Sequence, residues 1–375
     1  MSEVIEMIMI LIIVTLCFLM IPFNLQPNSV IEARKKFDTF IKLYDKPYRY
    51  NVREYDHRFQ IFRVSLNKIA SLNAHRVEND TAIYGITQYA DLTDQEFLRL
   101  HLADLKHETT PGTANNRGVS VLDKFIIESK SAEMKDDIIF SRAKRDLKIL
   151  DYLPKVVDWR DKGVVAPVRS QGSCGACWAI SVVDTITSIS AIKRQQNFSE
   201  LCLDQVINCA GNGNFGCEGG DTCRLLEWLK EEKVKLNTLK QCEALDTSKN
   251  GPNCTFQQAS NGEYLSLNQF SCVSLVDREH LMLRYLATHG PIVAAVNAAS
   301  WKYYLGGVIQ YHCEEAYEDL NHAVEIVGYN LESQIPYYLV KNSWGPRFGD
   351  RGYIKIQVGK NLCGIANRVS FIELV

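Results

Sequence analysis

Charge of one sign is what this sequence most plainly lacks. Its 42 Lys and Arg against 44 Asp and Glu leave a net charge of −2, mixed along the chain, so no field exists that would draw nucleic acid. No internal repeat or low-complexity tract occurs. Cysteine is missing from a long stretch. Of 12 cysteines Cys17 stands alone near the N-terminus, and all the others fall between Cys174 and Cys363. That clustering, behind an apolar N-terminal segment, reads as a disulfide framework made in an oxidising compartment. Because the clustered count is odd, one thiol is left over and needs a reason. Asn-x-Ser/Thr triplets at Asn79, Asn197 and Asn253 fit a secretory route as glycosylation sites.

At 375 residues the chain exceeds one average domain. Residues 1–25 contain an uncharged run from Met7 to Phe23, between a signal-peptide core and a short membrane span in length. Glu3 and Glu6 precede it and no small-x-small site follows. The reading is a cleaved signal, with a membrane-anchored precursor as the alternative. In 26–105, Phe37, Phe40, Ile41 and Tyr44, then Phe59, Phe62, Leu66 and Ile69, recur at helical spacing and predict two amphipathic helices. Residues 106–152 are polar with scattered apolar groups, a connector of the kind proteases cut first. From 153 to 375 a helical half gives way to short apolar runs, Ile292–Val296, Ala323–Tyr329, Tyr337–Val340 and Tyr353–Val358, which predict strands. The expectation is an α+β fold of two lobes side by side.

Chemistry concentrates in Gln171-Gly-Ser-Cys-Gly-Ala-Cys-Trp178. Apolar residues at Ile180, Val183, Ile186 and Ile189 predict a buried helix that Cys177 opens, with its thiol at the positive end. A thiol attacks a carbonyl as thiolate, and a helix N-terminus beside an imidazolium lowers a cysteine pKa from about 8.5 to about 3–4. The imidazole and its orienting group come from Asn321-His322-Ala-Val-Glu and Lys341-Asn342-Ser-Trp344. An Asn342 amide oxygen can fix the tautomer of His322 without adding charge, and Trp344 can screen that bond from water. Gln171 can donate to an oxyanion together with the Cys177 backbone N–H. Cys174 and Cys177 alone would also suit a redox pair or half a zinc site. The flanking Gln171 and Trp178 oppose both, as does the lack of a second ligand pair at zinc spacing.

The run Cys-Gly-Ala-Cys-Trp is a known local signature of papain-like cysteine proteases, and here the chain resembles the papain family throughout 153–375. Val157-Asp158-Trp159-Arg160, Val206-Ile-Asn-Cys209, Gly216-Cys-Glu-Gly-Gly220, Trp301-Lys-Tyr-Tyr-Leu-Gly-Gly307 and Cys363-Gly-Ile365 carry the likeness. Upstream, Glu54, Arg58, Phe62, Ile69 and Asn73, then Gly85, Tyr89 and Asp91, resemble the family's inhibitory pro-segment. Ser65 and Thr87 stand where the family usually has Asn.

The resemblance implies a helical left lobe, a β-barrel-like right lobe and a helical pro-domain. It also implies a zymogen of a cysteine endopeptidase with catalytic Cys177, His322, Asn342 and Gln171, and no metal or cofactor. Chain-end trimmers of the family carry a cleft-blocking insertion, in one case with paired histidines, and no histidine lies between His107 and His280. The disulfides implied are Cys174–Cys217, Cys209–Cys254 and Cys313–Cys363. That leaves Cys177 as the extra thiol and Cys202, Cys223, Cys242 and Cys272 with open pairing.

Substrate is expected as an extended polypeptide on Gly219 and Gly220. The pocket for the residue before the cleavage-site residue is then lined by Thr222, Cys223, Ala295, Leu320 and Ala323, floored by Arg368 and neighboured by Trp344. A bare Arg368 there would favour acidic or small side chains. Other expected partners are the chain's own pro-segment and cystatin-like inhibitors, and the protein is expected as a monomer, lysosomal, endosomal or secreted. Acid would loosen the pro-segment by protonating paired carboxylates such as Glu54, one turn from Arg58. The competing class is an inactive homologue that binds peptide or inhibitor, which the presence of all four catalytic residue types opposes.

Overall fold

A computed structural model describes residues 27–74, 76, 81–102, 153–244 and 265–375. The leader, the connector, Asn79, Asn253 and Cys254 lie outside the described residues. The chain forms two compact units, one up to Ser65 and one from Leu66 onward.

The first unit holds α1 (Pro27–Leu43) and most of α2 (Val52–Asn73), the two helices the apolar spacing predicts. Their seam is aromatic: the Phe37 ring lies 5.9 Å from Phe40, 5.5 Å from Phe59 and 5.0 Å from Phe62. On the outer side Arg58 Nε donates to Glu54 Oε1 at 2.7 Å, one turn apart.

In the second unit the chain enters through β1 (Ile83–Tyr84) and α3 (Asp94–His101). Thr93 caps α3 in a reciprocal box with Glu96, a device worth about 1 kcal/mol. After β2 (Val156–Asp158) comes α4 (Cys177–Arg194), in which every residue from Cys177 to Ala191 is buried. A helix covered on all sides is a central one. Around it pack α5 (Leu203–Cys209) and α6 (Thr222–Glu231), with α7 (Leu239–Ala244) beyond. The strand-rich half follows: β3 (Leu267–Val273), α8 (Glu279–Thr288), β4 (Ile292–Val296), β5 (Tyr304–Gly306), β6 (Val308–Ile309), β7 (His322–Asn330), β8 (Tyr337–Lys341), β9 (Tyr353–Gln357) and β10 (Val369–Leu374).

The main sheet runs β3-β10-β4-β7-β8-β9-β6 with β2 added on β7. Every pairing is antiparallel except β6 with β9. The barrel-like closure expected of this lobe is not what forms: among the described residues the sheet is open. Its last strand, β6, is two residues long, pairs with β9 and also accepts Ala82 N at Val308 O, while β3 at the other end lies against α6. Trp178, Val182, Leu225 and Trp228 share a core with the helical half, and Tyr285, Ile326, Trp344 and Phe371 share one with the sheet half. Two cores in one unit are the two lobes. Among the described residues no helix is long and apolar enough to cross a membrane.

Candidate active site

Cys177 is the first residue of α4, preceded by Ala176 with no side-chain cap, so the helix's first N–H groups and its positive end are left for whatever sits at the thiol. The approach loop is clamped. Cys174 is bonded to Cys217, and a Cβ on Gly175 would stand 2.8 Å from the Cys217 carbonyl oxygen. Among the described residues Cys177 is the one cysteine not in a disulfide.

His322 is the first residue of β7, and register with β4 sets Ala323 opposite Ala295. Ala323 packs on Cys177, which brings the helix start and the strand start together. The ring Nε2–H donates to Asn342 Oδ1 at 2.8 Å, which fixes the tautomer and leaves Nδ1 as the basic nitrogen. Nδ1 is buried and has no hydrogen-bond partner. Asn342 follows the last residue of β8, and its Oδ1 also accepts from Ser343 N at 2.8 Å. The Trp344 ring lies 5.0 Å from the imidazole and Trp301 6.0 Å, so the bond to Asn342 is kept dry. Burial pushes the pKa of His322 down to about 4 against the pull of Asn342, and the nearby His101 lowers it further.

Gln171 is anchored through its Oε1, which accepts from Ser343 Oγ, and through its backbone N–H, 2.9 Å from Ser343 O. The Nε2 amide donates to Cys174 O at 3.0 Å and to the backbone carbonyl of His101 at 3.2 Å. That second acceptor belongs to the N-terminal segment. The same segment covers Trp344 with Tyr89 and Phe97 edge-on at 5.7 and 5.3 Å, while the His101 ring lies tilted against Tyr89 at 4.4 Å. Lys302, almost fully buried, holds it from below, donating to Leu92 O at 2.6 Å and Asp94 Oδ1 at 2.9 Å. Thr87, in place of the usual Asn, donates its hydroxyl to Lys302 O. Sequence reasoning missed His101 and Lys302. Their only local signals are a helix-ending position after Phe97 and a lysine inside an apolar run.

Of the expected pocket residues, Gly220 meets Trp178, since a Cβ there would lie 2.6 Å from the indole. Gly219 takes a φ of 118°, and Thr222 opens α6, buried. Leu320 is buried, and Arg368 O accepts from Ala295 N at 3.0 Å. Cys223 and Cys272 are bonded to each other, as are Cys202 and Cys242, which resolves the pairing left open. Cys313 is bonded to Cys363. Cys209 is also in a disulfide, with its expected partner Cys254 outside the described residues. Arg368 is not the bare charge expected of it. Its guanidinium pairs with Asp221 Oδ2, while Asp221 Oδ1 caps α6 through Cys223 N and Arg224 N at 2.8 and 2.9 Å. Asp221 had a findable signal, an acid directly before an apolar helix. Asn197 is exposed.

Comparison with known proteins gives the same picture. The family model "Papain family cysteine protease" matches residues 153–372, and "Cathepsin propeptide inhibitor domain (I29)" matches 37–97. Cathepsin O of Homo sapiens is 38% identical over 312 residues, covering 83% of this chain and 86% of that one. Thiol protease aleurain of Arabidopsis thaliana is 33% identical, covering 89% and 83%. Among solved structures, a digestive procathepsin L2 from Tenebrio molitor superposes with a TM-score of 0.69 at 27% identity, covering 91% of this chain and 99% of that one. The recombinant stem bromelain precursor gives 0.68 at 28%, covering 91% and 98%. A cysteine endopeptidase domain preceded by its own inhibitory propeptide is what these matches describe, and the chain belongs to the papain family of cysteine proteases.

Proposed function

We propose that Cys177 is the nucleophile, His322 its general base and acid, Asn342 the group that orients His322, and Gln171 with the Cys177 N–H the oxyanion donors. The observation that carries the reading is the pairing of His322 Nε2 with Asn342 Oδ1 at 2.8 Å, which leaves Nδ1 buried and open. The thiol proton moves to Nδ1 and the thiolate sulfur bonds to the scissile carbonyl carbon. The resulting oxyanion is held by two N–H donors, and His322 returns the proton to the leaving amine as the C–N bond breaks. Water, deprotonated by His322, then hydrolyses the thioester and the thiol is regenerated. Gln171 Nε2 already donates to a peptide carbonyl, that of His101, which supports its role toward a substrate oxygen.

Gly219 and Gly220 would bind extended substrate by strand addition. The pocket of Thr222, Cys223, Ala295, Leu320, Ala323 and Arg368, with Trp344 beyond the histidine, would take the next side chain. Because Asp221 neutralises Arg368, that pocket is proposed to favour small or apolar groups over acids. Domain limits of 1–25, 26–105, 106–152 and 153–375 are proposed, and both family matches fall inside them. The precursor is proposed to enter the secretory pathway and to be processed in an acidic endosome or lysosome. There it would act as a monomer open to cystatin-like inhibitors, with glycan on Asn197. Labelling with an epoxide or vinyl-sulfone thiol reagent before and after incubation at about pH 5, read by mass spectrometry, tests the reading. Label on Cys177 only after processing is expected. Label elsewhere, or none, overturns it.

A further inference from the structure

Among the described residues Cys177 at the start of α4 and Ala323 on β7 form a small apolar cluster of their own, apart from the two large cores. Deeper between α4 and β7 the contact is ionic. Lys341 Nζ donates to Asp184 Oδ2 at 2.6 Å and to Glu325 Oε2 at 3.3 Å. Arg169 Nε donates to Asp184 Oδ1 at 3.0 Å, and Arg169 Nη2 lies 3.2 Å from Glu200 Oε2. Ser188 Oγ donates to Glu325 Oε1 at 2.8 Å, and Tyr353 on β9 stands in register with Lys341. Asp184, Glu325 and Lys341 are each 3% exposed or less.

The placement follows the chemistry residue by residue. Arg169 lies two residues before Gln171, and Asp184 two helical turns after Cys177 on α4. Glu325 lies one residue beyond Val324 on the strand that His322 opens, and Lys341 is the last residue of β8, directly before Asn342. Burial alone would push the Lys341 ammonium down, but the Glu325 and Asp184 carboxylates hold it up. Burial pushes the Glu325 carboxyl up against the pull of Lys341. Packed apolar residues commonly match or exceed such a buried pair in stability, so stability alone does not call for it. In some proteins such buried ionic groups instead fix the registry of the elements that carry them.

We propose that Glu325, Lys341 and Asp184 are positioning residues that lock α4 onto β7 and β8 at the separation at which Cys177 and His322 exchange a proton. The proposal rests on the catalytic reading above. Its test uses processed enzyme, matured from the full-length precursor carrying Glu325→Gln, with iodoacetamide alkylation of Cys177 followed from pH 4 to 9 beside kcat and KM. A misplacement of about 1 Å can cost about a hundredfold in rate. The expected result is alkylation at pH 5 at least about tenfold slower than wild type, an acid limb moved toward higher pH, and kcat reduced with KM within about twofold. A lowered Tm with alkylation, its pH profile and kcat all at wild-type values would make the cluster merely structural and overturn the proposal.

If Glu325→Gln does not fold, the paired variant Glu325→Gln with Lys341→Gln removes both charges and is expected to fold with the same slow alkylation. Ser188→Ala, which deletes only a hydroxyl donated to Glu325, is expected to slow alkylation about threefold. Wild-type rates in both would overturn the proposal. Failure of wild-type Cys177 to alkylate would instead overturn the catalytic reading.

Discussion

In the precursor His322 is fully buried beneath Trp344 and the segment ending at His101, and its pKa falls from 6.5 to about 4. Lifting that segment would rehydrate the ring. Below pH 6.5 an exposed imidazole takes up a proton that the buried one refuses until about pH 4, so acid favours the open form and neutral pH the closed one. Over the whole window the swing is about 3 kcal/mol, and between pH 7 and pH 5 it is about 2 kcal/mol, or about twentyfold in the opening equilibrium. The assay is hydrogen exchange of residues 81–102 in a Cys177→Ala precursor that cannot cut itself, corrected for intrinsic exchange rates. Opening should rise about twentyfold from pH 7 to pH 5, and with His322→Gln added the rise should shrink to a few fold. Equal pH dependence with and without the imidazole would show that other groups sense the acid and would refute the reasoning.

Removing the Gln171 amide should cost about 10²–10³ in kcat of the processed enzyme with a smaller change in KM, measured by Gln171→Ala kinetics. Lys302→Met cuts the ties to Leu92 and Asp94, so the precursor should convert at a higher pH than wild type while Lys302→Arg converts near it. An unchanged conversion midpoint on gels would show that Lys302 does not hold the segment. Because Arg368 and Asp221 neutralise each other, a peptide library should show no acidic preference in the adjoining pocket. Arg368→Ala, which strands a buried carboxylate, should lower stability by about 3 kcal/mol in denaturant titration.

Local features were legible in the sequence. The helix from Cys177, the strands after Gly290 and the proposed catalytic residues each announce themselves through short-range periodicity or a motif. What was not legible depends on partners far apart in sequence. Arg368 reads as a lone cation because its partner Asp221 is 147 positions away. His101 enters the site through a backbone carbonyl and a tilted ring contact with Tyr89, which no residue pattern encodes. Four unassigned cysteines admit three connectivities, and only the fold selects Cys202 with Cys242 and Cys223 with Cys272. The sheet's failure to close turns on β6 being two residues long, a boundary that alternation alone cannot set.

The N-terminal segment is also the partner of a sheet edge. Ile83 and Tyr84 pair with Gly306 and Tyr304, while Ala82 N and Gly85 N donate to Val308 O and Tyr303 O, each at 2.8 Å. Maturation therefore bares a short ledge of unsatisfied carbonyls beside half-exposed Leu305. Such a ledge is the kind of sheet edge on which an extended peptide can add as a further strand.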